Sequence, residues 1–287
     1  MRKMEVAKTI ESVRRLVKAA RSRGEKTGLV PTMGAFHIGH ISLIEAAVKK
    51  CDFVVVSIFV NPTQFDPGGD FEKYPRPLKD DLEICKKAGV DVVFAPTPQE
   101  IYPQQNLTWV NVEKLTEQLC GRFRPGHFRG VATVCAKLFN IVKPDIAFFG
   151  QKDAQQAIVI KRMVADLNMP VEIVVCPTIR QPDGLALSSR NQYLTEQQKK
   201  DAAYVYKSLQ KCREMIDAGV TDSKIIIAKM REILNQASAI KIEYISIVDA
   251  EMAQPIDHVA GTVLAAVAVR IGSARLIDNI LVDAGRQ

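Results

Sequence analysis

The sequence predicts an α/β protein in two parts: a doubly wound parallel sheet over residues 1–178, then a smaller α+β domain over 179–287. Three observations carry that expectation. Up to residue 178, short apolar runs alternate with segments whose apolar residues recur at helical spacing, the pattern of strands joined by crossover helices. Residues 53–60 are almost continuously apolar, as a strand buried on both faces of a parallel sheet must be. Beyond residue 179 two helical stretches are followed by three strand-like runs, which marks a separate α+β unit.

Taken in order, Thr9 caps a helix whose apolar positions Ile10, Val13, Leu16, Val17 and Ala20 repeat at three and four. A short strand over 28–32 then runs into Pro31-Thr32-Met33-Gly34-Ala35-Phe36-His37-Ile38-Gly39-His40. From Gly39 a helix continues, with Ile41, Leu43, Ile44, Ala47 and Val48 on one face. Gly34 and Gly39 let backbone approach a ligand closely, and a helix N-terminus after a strand points N–H groups at any phosphate placed there. Two imidazoles over that terminus can donate to phosphate oxygens as charge develops in a transition state. The plain alternative is two ordinary histidines. Against it, the chain has four histidines and three of them (His37, His40, His127) lie in glycine-rich segments. No nearby cysteine or histidine pair completes a zinc set.

The strand at 53–60 opens into Asn61-Pro62-Thr63-Gln64-Phe65. Ligands collect beyond the carboxyl ends of parallel strands, so Asn61 and Gln64 are candidates for holding a substrate, or else a solvated turn. Residues 66–77, rich in Gly, Pro and aromatics, read as a cover over a site or as plain loop. In the next helix Leu78, Leu82 and Cys85 share a face, and Asp80-Asp81 reads as solvated before it reads as a magnesium-side pair. Strands are expected at 91–95 and 108–112. Residues 120–130 place Arg122, Arg124, Arg129 and His127 in a glycine-bracketed loop, an anion-binding composition or a basic surface, ahead of an amphipathic helix stopped by Pro144. A strand at 145–149 ends in Gly150-Gln151-Lys152-Asp153, with Gln155 and Gln156 in the first turn of a helix, so Lys152 is either a phosphate ligand or an exposed lysine. After a strand at 171–176, the loop 180–191 carries Ser188, Ser189 and Arg190, suited to a triphosphate. Thr195 and Gln198 form a capping box for a long helix, a second helix covers 222–237, and strands follow at 243–248, 261–269 and 276–282.

Composition excludes several classes. With 47% hydrophobic residues in 287, the chain has an ample core. Its net charge of +7 favours anionic ligands, but the basic residues are scattered, which does not indicate nucleic acid. Six cysteines form no Cys-x-x-Cys pair and read as reduced core residues. The charged first residues have no apolar h-region behind them and no apolar run reaches membrane length, so a cytoplasmic protein is expected.

Five motifs in order resemble the pantoate–β-alanine ligase family of the nucleotidylyltransferase superfamily, which is shared with class I aminoacyl-tRNA synthetases. They are residues 31–40; Val60-Asn-Pro-Thr-Gln-Phe65; Arg124-Pro-Gly-His-Phe128; Phe149-Gly-Gln-Lys-Asp153 with Gln155-Gln156; and Asp183-Gly-Leu-Ala-Leu-Ser-Ser-Arg-Asn191. The resemblance spans essentially the whole chain. It implies a Rossmann-like domain, with the residues beyond 178 covering an ATP site. It also implies ATP-dependent condensation of pantoate with β-alanine through a pantoyl adenylate, with Mg2+, releasing AMP and pyrophosphate. ATP contacts would come from Met33, Gly34, Ala35, Phe36, His37, Ile38, Gly39 and His40, from Gly150, Gln151, Lys152 and Asp153, and from Ile179, Leu187, Ser188, Ser189 and Arg190. His40 would be the proton donor, with His37, Lys152 and Arg190 supplying charge. Gln64 would contact pantoate and β-alanine and Gln156 pantoate, Asn61, His127 and Arg124 would line the same pocket, and Asp80 and Asp81 match the magnesium-side pair. A homodimer acting on small molecules is implied. Gln151 stands where the family commonly has Glu, and Leu187 where it often has Met, which bears on affinity rather than reaction type. Two alternatives stay open: another transferase of the superfamily, distinguished by not releasing free AMP, and an RNA-binding synthetase relative, disfavoured by the absence of a basic stripe.

Overall fold

The computed structural model describes residues 3–65 and 71–285. Two compact units make up the chain: Met1–Glu113 with Arg124–Gly150 and Val159–Cys176, and Lys114–Phe123 with Gln151–Ile158 and Pro177–Gln287.

The first unit is the expected doubly wound sheet. Its strands are β1 (Glu5–Ala7), β2 (Thr27–Thr32), β3 (Phe53–Ile58), β4 (Val92–Phe94), β5 (Ile146–Gly150) and β6 (Glu172–Cys176), in the spatial order β1-β4-β3-β2-β5-β6. All pairings are parallel, which requires crossover connections. Those are supplied by α1 (Ile10–Arg21), α2 (Ile38–Lys50), α3 (Leu78–Lys87) and α6 (His127–Val142), with the short α4 (Pro98–Ile101) and α5 (Cys120–Phe123) between the last two. α7 (Ala154–Asp166) follows β5. Thr9 caps α1 as its sequence predicts, accepting from the Ser12 N–H. The apolar face of α2, through Leu43, Ile44 and Ala47, packs on Val30, Val54, Val56, Ile146 and Phe148 of the sheet. Strand order reverses direction between β2 and β5, so the loops leaving their carboxyl ends lie where such sheets bind ligands.

Three stretches differ from expectation. β1 is three residues long with one buried side chain, Ala7, and is too short for any period to show. Residues 108–112 are not a strand: the Val110 N–H donates to Thr133 Oγ1 of α6 (3.0 Å), and the Arg129 guanidinium lies 4.8 Å from the Trp109 ring centroid, so a helix supplies the partners a neighbouring strand would have. The arginine-rich stretch is also more ordered than a loop. It forms α5, and then α6 begins at His127 after Gly126 (φ +81°), four residues before its expected start.

In the second unit α8 (Glu196–Asp217) and α9 (Ser223–Leu234) pack on an antiparallel sheet of β7 (Lys241–Asp249), β8 (Thr262–Ile271) and β9 (Ala274–Asp283). Thr195 and Gln198 form the capping box expected for α8.

All six cysteines are free thiols and five are buried. Burial pushes Cys85, Cys135 and Cys212 up to about 12, so almost no thiolate exists at neutral pH. Native protein treated with iodoacetamide at pH 8 is expected to remain unmodified at these three positions and to react fully in denaturant, read by mass spectrometry. Native alkylation of Cys135 would show that its surroundings open readily. None of the helices, among the described residues, is long and apolar enough to cross a membrane.

Candidate active site

β2 delivers the chain into Met33 and Gly34, and α2 starts at Ile38 with His37 as its N-cap. The turn between them is unusual backbone: Gly34 has φ +84° and Ala35 φ +54°, the left-handed region that a side chain disfavours. Asp81 of α3 holds it there. Its Oδ2 accepts the Ala35 N–H (2.8 Å) and its Oδ1 the Phe36 N–H (2.8 Å). A Cβ at Gly34 would come within 2.7 Å of Asp81 Oδ2, so glycine is needed for this fit. Asp81 is 1% exposed, whereas its neighbour Asp80 is on the surface. The expectation of a solvated pair is therefore corrected for Asp81: the helix turns that carboxylate inward onto the loop. Burial pushes its pKa up, opposed by the two backbone N–H groups.

The two histidines complete this terminus. His37 Nδ1 accepts the Gly39 N–H (3.1 Å), and His40 Nδ1 accepts the His37 N–H (3.4 Å). A backbone N–H only donates, so each Nδ1 is an unprotonated acceptor and each neutral ring carries its proton on Nε2. The rings lie 4.2 Å apart, and Phe36 stands 5.3 Å from His40. The result is a helix N-terminus bearing two adjacent Nε2–H donors, a constellation fit for anionic oxygens.

Beyond β3, Asn61 caps a 3-10 turn over Pro62–Gln64. Gln64 is gripped from three sides. Its backbone oxygen accepts from Arg124 Nη2 (3.1 Å) and faces His127 Nδ1 (2.7 Å), its Oε1 accepts from Asn61 Nδ2 (3.0 Å), and its Nε2 donates to Met33 Sδ (3.3 Å). Gly130 on α6 makes the fit possible, because a Cβ there would collide with the Thr63 carbonyl oxygen. The structure thus brings Met33, Asn61, Gln64, Arg124 and His127 together. From residue 71 the loop packs back on this turn, with the Phe71 and Tyr74 rings 5.3 and 5.9 Å from Phe65. The remainder of the anticipated cover, residues 66–70, lies outside the described residues.

In the second unit Lys152 sits in a 3-10 turn over Gln151–Asp153. Asn279 of β9 braces that turn: its Nδ2 donates to the Gln151 and Lys152 carbonyls (3.0 and 2.9 Å), and Gln151 Nε2 donates to its Oδ1 (2.8 Å). Lys152 and Ser188 line one small cavity with Leu185, Ala186 and Asp278. Leu187 N–H donates to the Ile179 carbonyl (3.0 Å), and Ser188 caps the 3-10 turn Ser189–Tyr193 by accepting from the Arg190 N–H (3.3 Å). Of the two glutamines opening α7, Gln155 is buried and structural, accepting the Cys120 N–H and donating to the Leu115 and Gln118 carbonyls, while Gln156 is half-buried. Sequence reasoning misses Asn279, Asp278 and Tyr102. Only the adjacent Asp278-Asn279, two polar residues inside an apolar strand, gives a signal.

A helix N-terminus carrying two histidines at the switch point of a doubly wound sheet is the architecture of a nucleotide-using α/β enzyme, and comparison with known proteins narrows that class. Residues 5–281 match the model of the family described as pantoate–β-alanine ligase. The pantothenate synthetase of Moorella thermoacetica is 52% identical over 280 residues, covering 98% of this chain and 99% of that protein. The crystal structure of pantothenate synthetase from Thermus thermophilus superposes with a TM-score of 0.91 at 43% identity, covering 96% of this chain and 99% of that one. A pantoate–β-alanine ligase from Francisella tularensis, complexed with beta-gamma ATP and β-alanine, superposes with a TM-score of 0.80 at 38% identity, covering 97% of this chain and 98% of that one. The chain belongs to the pantoate–β-alanine ligase family and is a ligase enzyme.

Proposed function

We propose that the chain condenses pantoate with β-alanine at the expense of ATP through a pantoyl adenylate, with His37 and His40 binding the phosphates. The observation that carries this reading is that backbone N–H groups at the N-terminus of α2 donate to Nδ1 of both His37 and His40, which makes Nε2 the donor of each neutral ring. The complex of the Francisella ligase with beta-gamma ATP and β-alanine supports it.

In the first step a pantoate carboxylate oxygen attacks the α-phosphorus, the bond to the bridging oxygen breaks, and pyrophosphate leaves with the electron pair. In the second, the β-alanine amine attacks the acyl carbon, the carbon–oxygen bond to phosphate breaks, and AMP leaves as the nitrogen gives up a proton. Neither step needs a nucleophilic side chain, so the protein contributes position and charge. We assign nucleotide contacts to Met33, Gly34, Ala35, Phe36, His37, Ile38, Gly39, His40, Gly150, Gln151, Lys152, Asp153, Ile179, Leu187, Ser188, Ser189 and Arg190. His40 is the donor to the developing charge on the leaving group. Gln64 and Gln156 contact pantoate, and Asn61, Arg124 and His127 act by holding Gln64.

Mg2+ fits as an ion carried by the nucleotide. It takes one or two carboxylates and otherwise phosphate and water oxygens. Among the described residues no group of three His, Cys, Asp or Glu is gathered for it. Of the acidic pair that would hold it, each Asp81 oxygen accepts one backbone N–H and keeps a further lone pair, and Asp80 is exposed. On family grounds the enzyme is placed in the cytoplasm as a homodimer.

The test is exchange of labelled pyrophosphate into ATP with pantoate present and β-alanine withheld, against a panel of other carboxylic acids. Exchange with pantoate alone is expected. Exchange with an amino acid instead would leave the nucleotide chemistry standing and overturn the substrate.

A further inference from the structure

We infer that Tyr102 is a positioning residue for pantoate: acting through Asn61, it fixes which end of the Gln64 amide the substrate meets. This rests on the reading above that Gln64 contacts pantoate. Asn61 is 1% exposed and has every polar amide atom engaged. Its Oδ1 accepts from the Thr63 N–H (3.4 Å), the Thr63 hydroxyl (3.0 Å) and the Tyr102 hydroxyl (3.0 Å). Its Nδ2 donates to the Gly130 carbonyl (3.3 Å) and to Gln64 Oε1 (3.0 Å).

Main-chain groups favour one orientation of this amide through two long bonds (3.3 and 3.4 Å), and the shorter Tyr102 bond (3.0 Å) secures it. The Thr63 N–H can only donate and the Gly130 carbonyl can only accept, so oxygen and nitrogen of Asn61 cannot exchange places without breaking both. With Asn61 fixed, Gln64 Oε1 must be the acceptor, and Gln64 Nε2 is the end left to face Met33 Sδ at 3.3 Å. A thioether sulfur is a weak acceptor. A carboxylate or hydroxyl oxygen of pantoate outcompetes it, and a donor is what those oxygens require.

Tyr102 joins the Asn61 amide from outside the turn and α6, 41 residues from Asn61 and immediately after α4. Its ring is held independently of its hydroxyl, with Lys137 Nζ 4.6 Å from the ring centroid and Phe59 at 6.3 Å. Burial pushes the phenol up, which keeps it a donor at physiological pH. Removing the hydroxyl therefore leaves the packing, takes one donor from Asn61 Oδ1 and ends a 3.4 Å contact with the Thr63 hydroxyl, whose own bond to Asn61 Oδ1 remains. Asn61 is then held less firmly, and Gln64 more often presents its carbonyl oxygen, which repels the substrate.

The experiment is a double-mutant cycle of Tyr102→Phe and Gln64→Ala, measuring KM for pantoate, KM for ATP and kcat, with thermal midpoints to confirm folding. Tyr102→Phe is expected to raise the pantoate KM about three- to tenfold, the effect of one hydrogen bond, with the ATP KM unchanged. In the Gln64→Ala background it is expected to add nothing, because the group it positions is gone. An unchanged pantoate KM in Gln64→Ala would overturn the reading of Gln64 itself. A changed Gln64→Ala with an unchanged Tyr102→Phe would overturn the role of Tyr102 alone. Equal effects of Tyr102→Phe in both backgrounds would mean that it supports the fold and does not act through Gln64.

Discussion

His40→Ala is expected to lower pyrophosphate exchange about 10²- to 10³-fold, the cost of removing one preorganised donor to developing charge. Its thermal midpoint should stay essentially that of the parent. The ring is half-buried and its ring contacts are to Phe36 and His37, so truncation opens no core cavity. His37→Ala is a less clean experiment. His37 Nδ1 caps α2 through the Gly39 N–H, so its loss removes a phosphate donor and about 1 kcal/mol of helix capping together. His40→Ala also removes a capping bond, from the His37 N–H, but that bond is the longer of the two at 3.4 Å against 3.1 Å, so His40→Ala should lose mainly activity and His37→Ala activity with more stability. A folded His40→Ala protein with near-normal exchange would remove His40 from the reaction.

What is legible in the sequence follows the distance over which each interaction acts. The histidine terminus can be read because its hydrogen bonds span two and three residues, and the Asn61–Gln64 contact spans three. The alternation of β2, α2 and β3 is legible for a related reason, since burial on one helix face or both strand faces leaves a local period. Asp81 is illegible because its partners lie 45 and 46 residues away, and nothing near it distinguishes a carboxylate turned inward from one turned outward. Tyr102 and Asn279 are remote in the same way, acting across 41 residues and across 127 and 128. The difference at 108–112 has another cause. Its composition suits an extended chain and the backbone is indeed not helical, but Thr133 of α6 takes the Val110 N–H that a strand neighbour would have bonded, and Arg129 of α6 packs on the Trp109 ring. Propensity describes what a segment tolerates, and the partner decides what it becomes.

The largest expected loss of stability is for Asp278→Ala in β9. Asp278 is 4% exposed and grips Arg180 with both oxygens, Oδ2 to Nη1 at 2.5 Å and Oδ1 to Nη2 at 2.9 Å. Burial pushes the Asp278 carboxyl up, while Arg180, the Asn279 N–H and Lys152 oppose it. The guanidinium in turn lies 3.9 Å from the Tyr206 ring centroid and donates to the Gly184 carbonyl (3.1 Å). Truncating the aspartate strands a cation among these groups, which costs about 3–5 kcal/mol for a buried pair. Chemical denaturation followed by a probe in the second unit should show that loss. Arg180→Met with Asp278→Ala should recover much of it, because replacing both partners removes the unpaired charge. The nucleotide should feel the single change too. Arg180 anchors the loop that leads to Leu187, Ser188, Ser189 and Arg190, and Asp278 adjoins Asn279, which braces Lys152. ATP affinity is therefore expected to fall with stability in Asp278→Ala. A single mutant losing no more than about 1 kcal/mol would place this pair with exposed ion pairs, and the loop would then owe its shape to the Ile179–Leu187 backbone bond and the Ser188 cap instead.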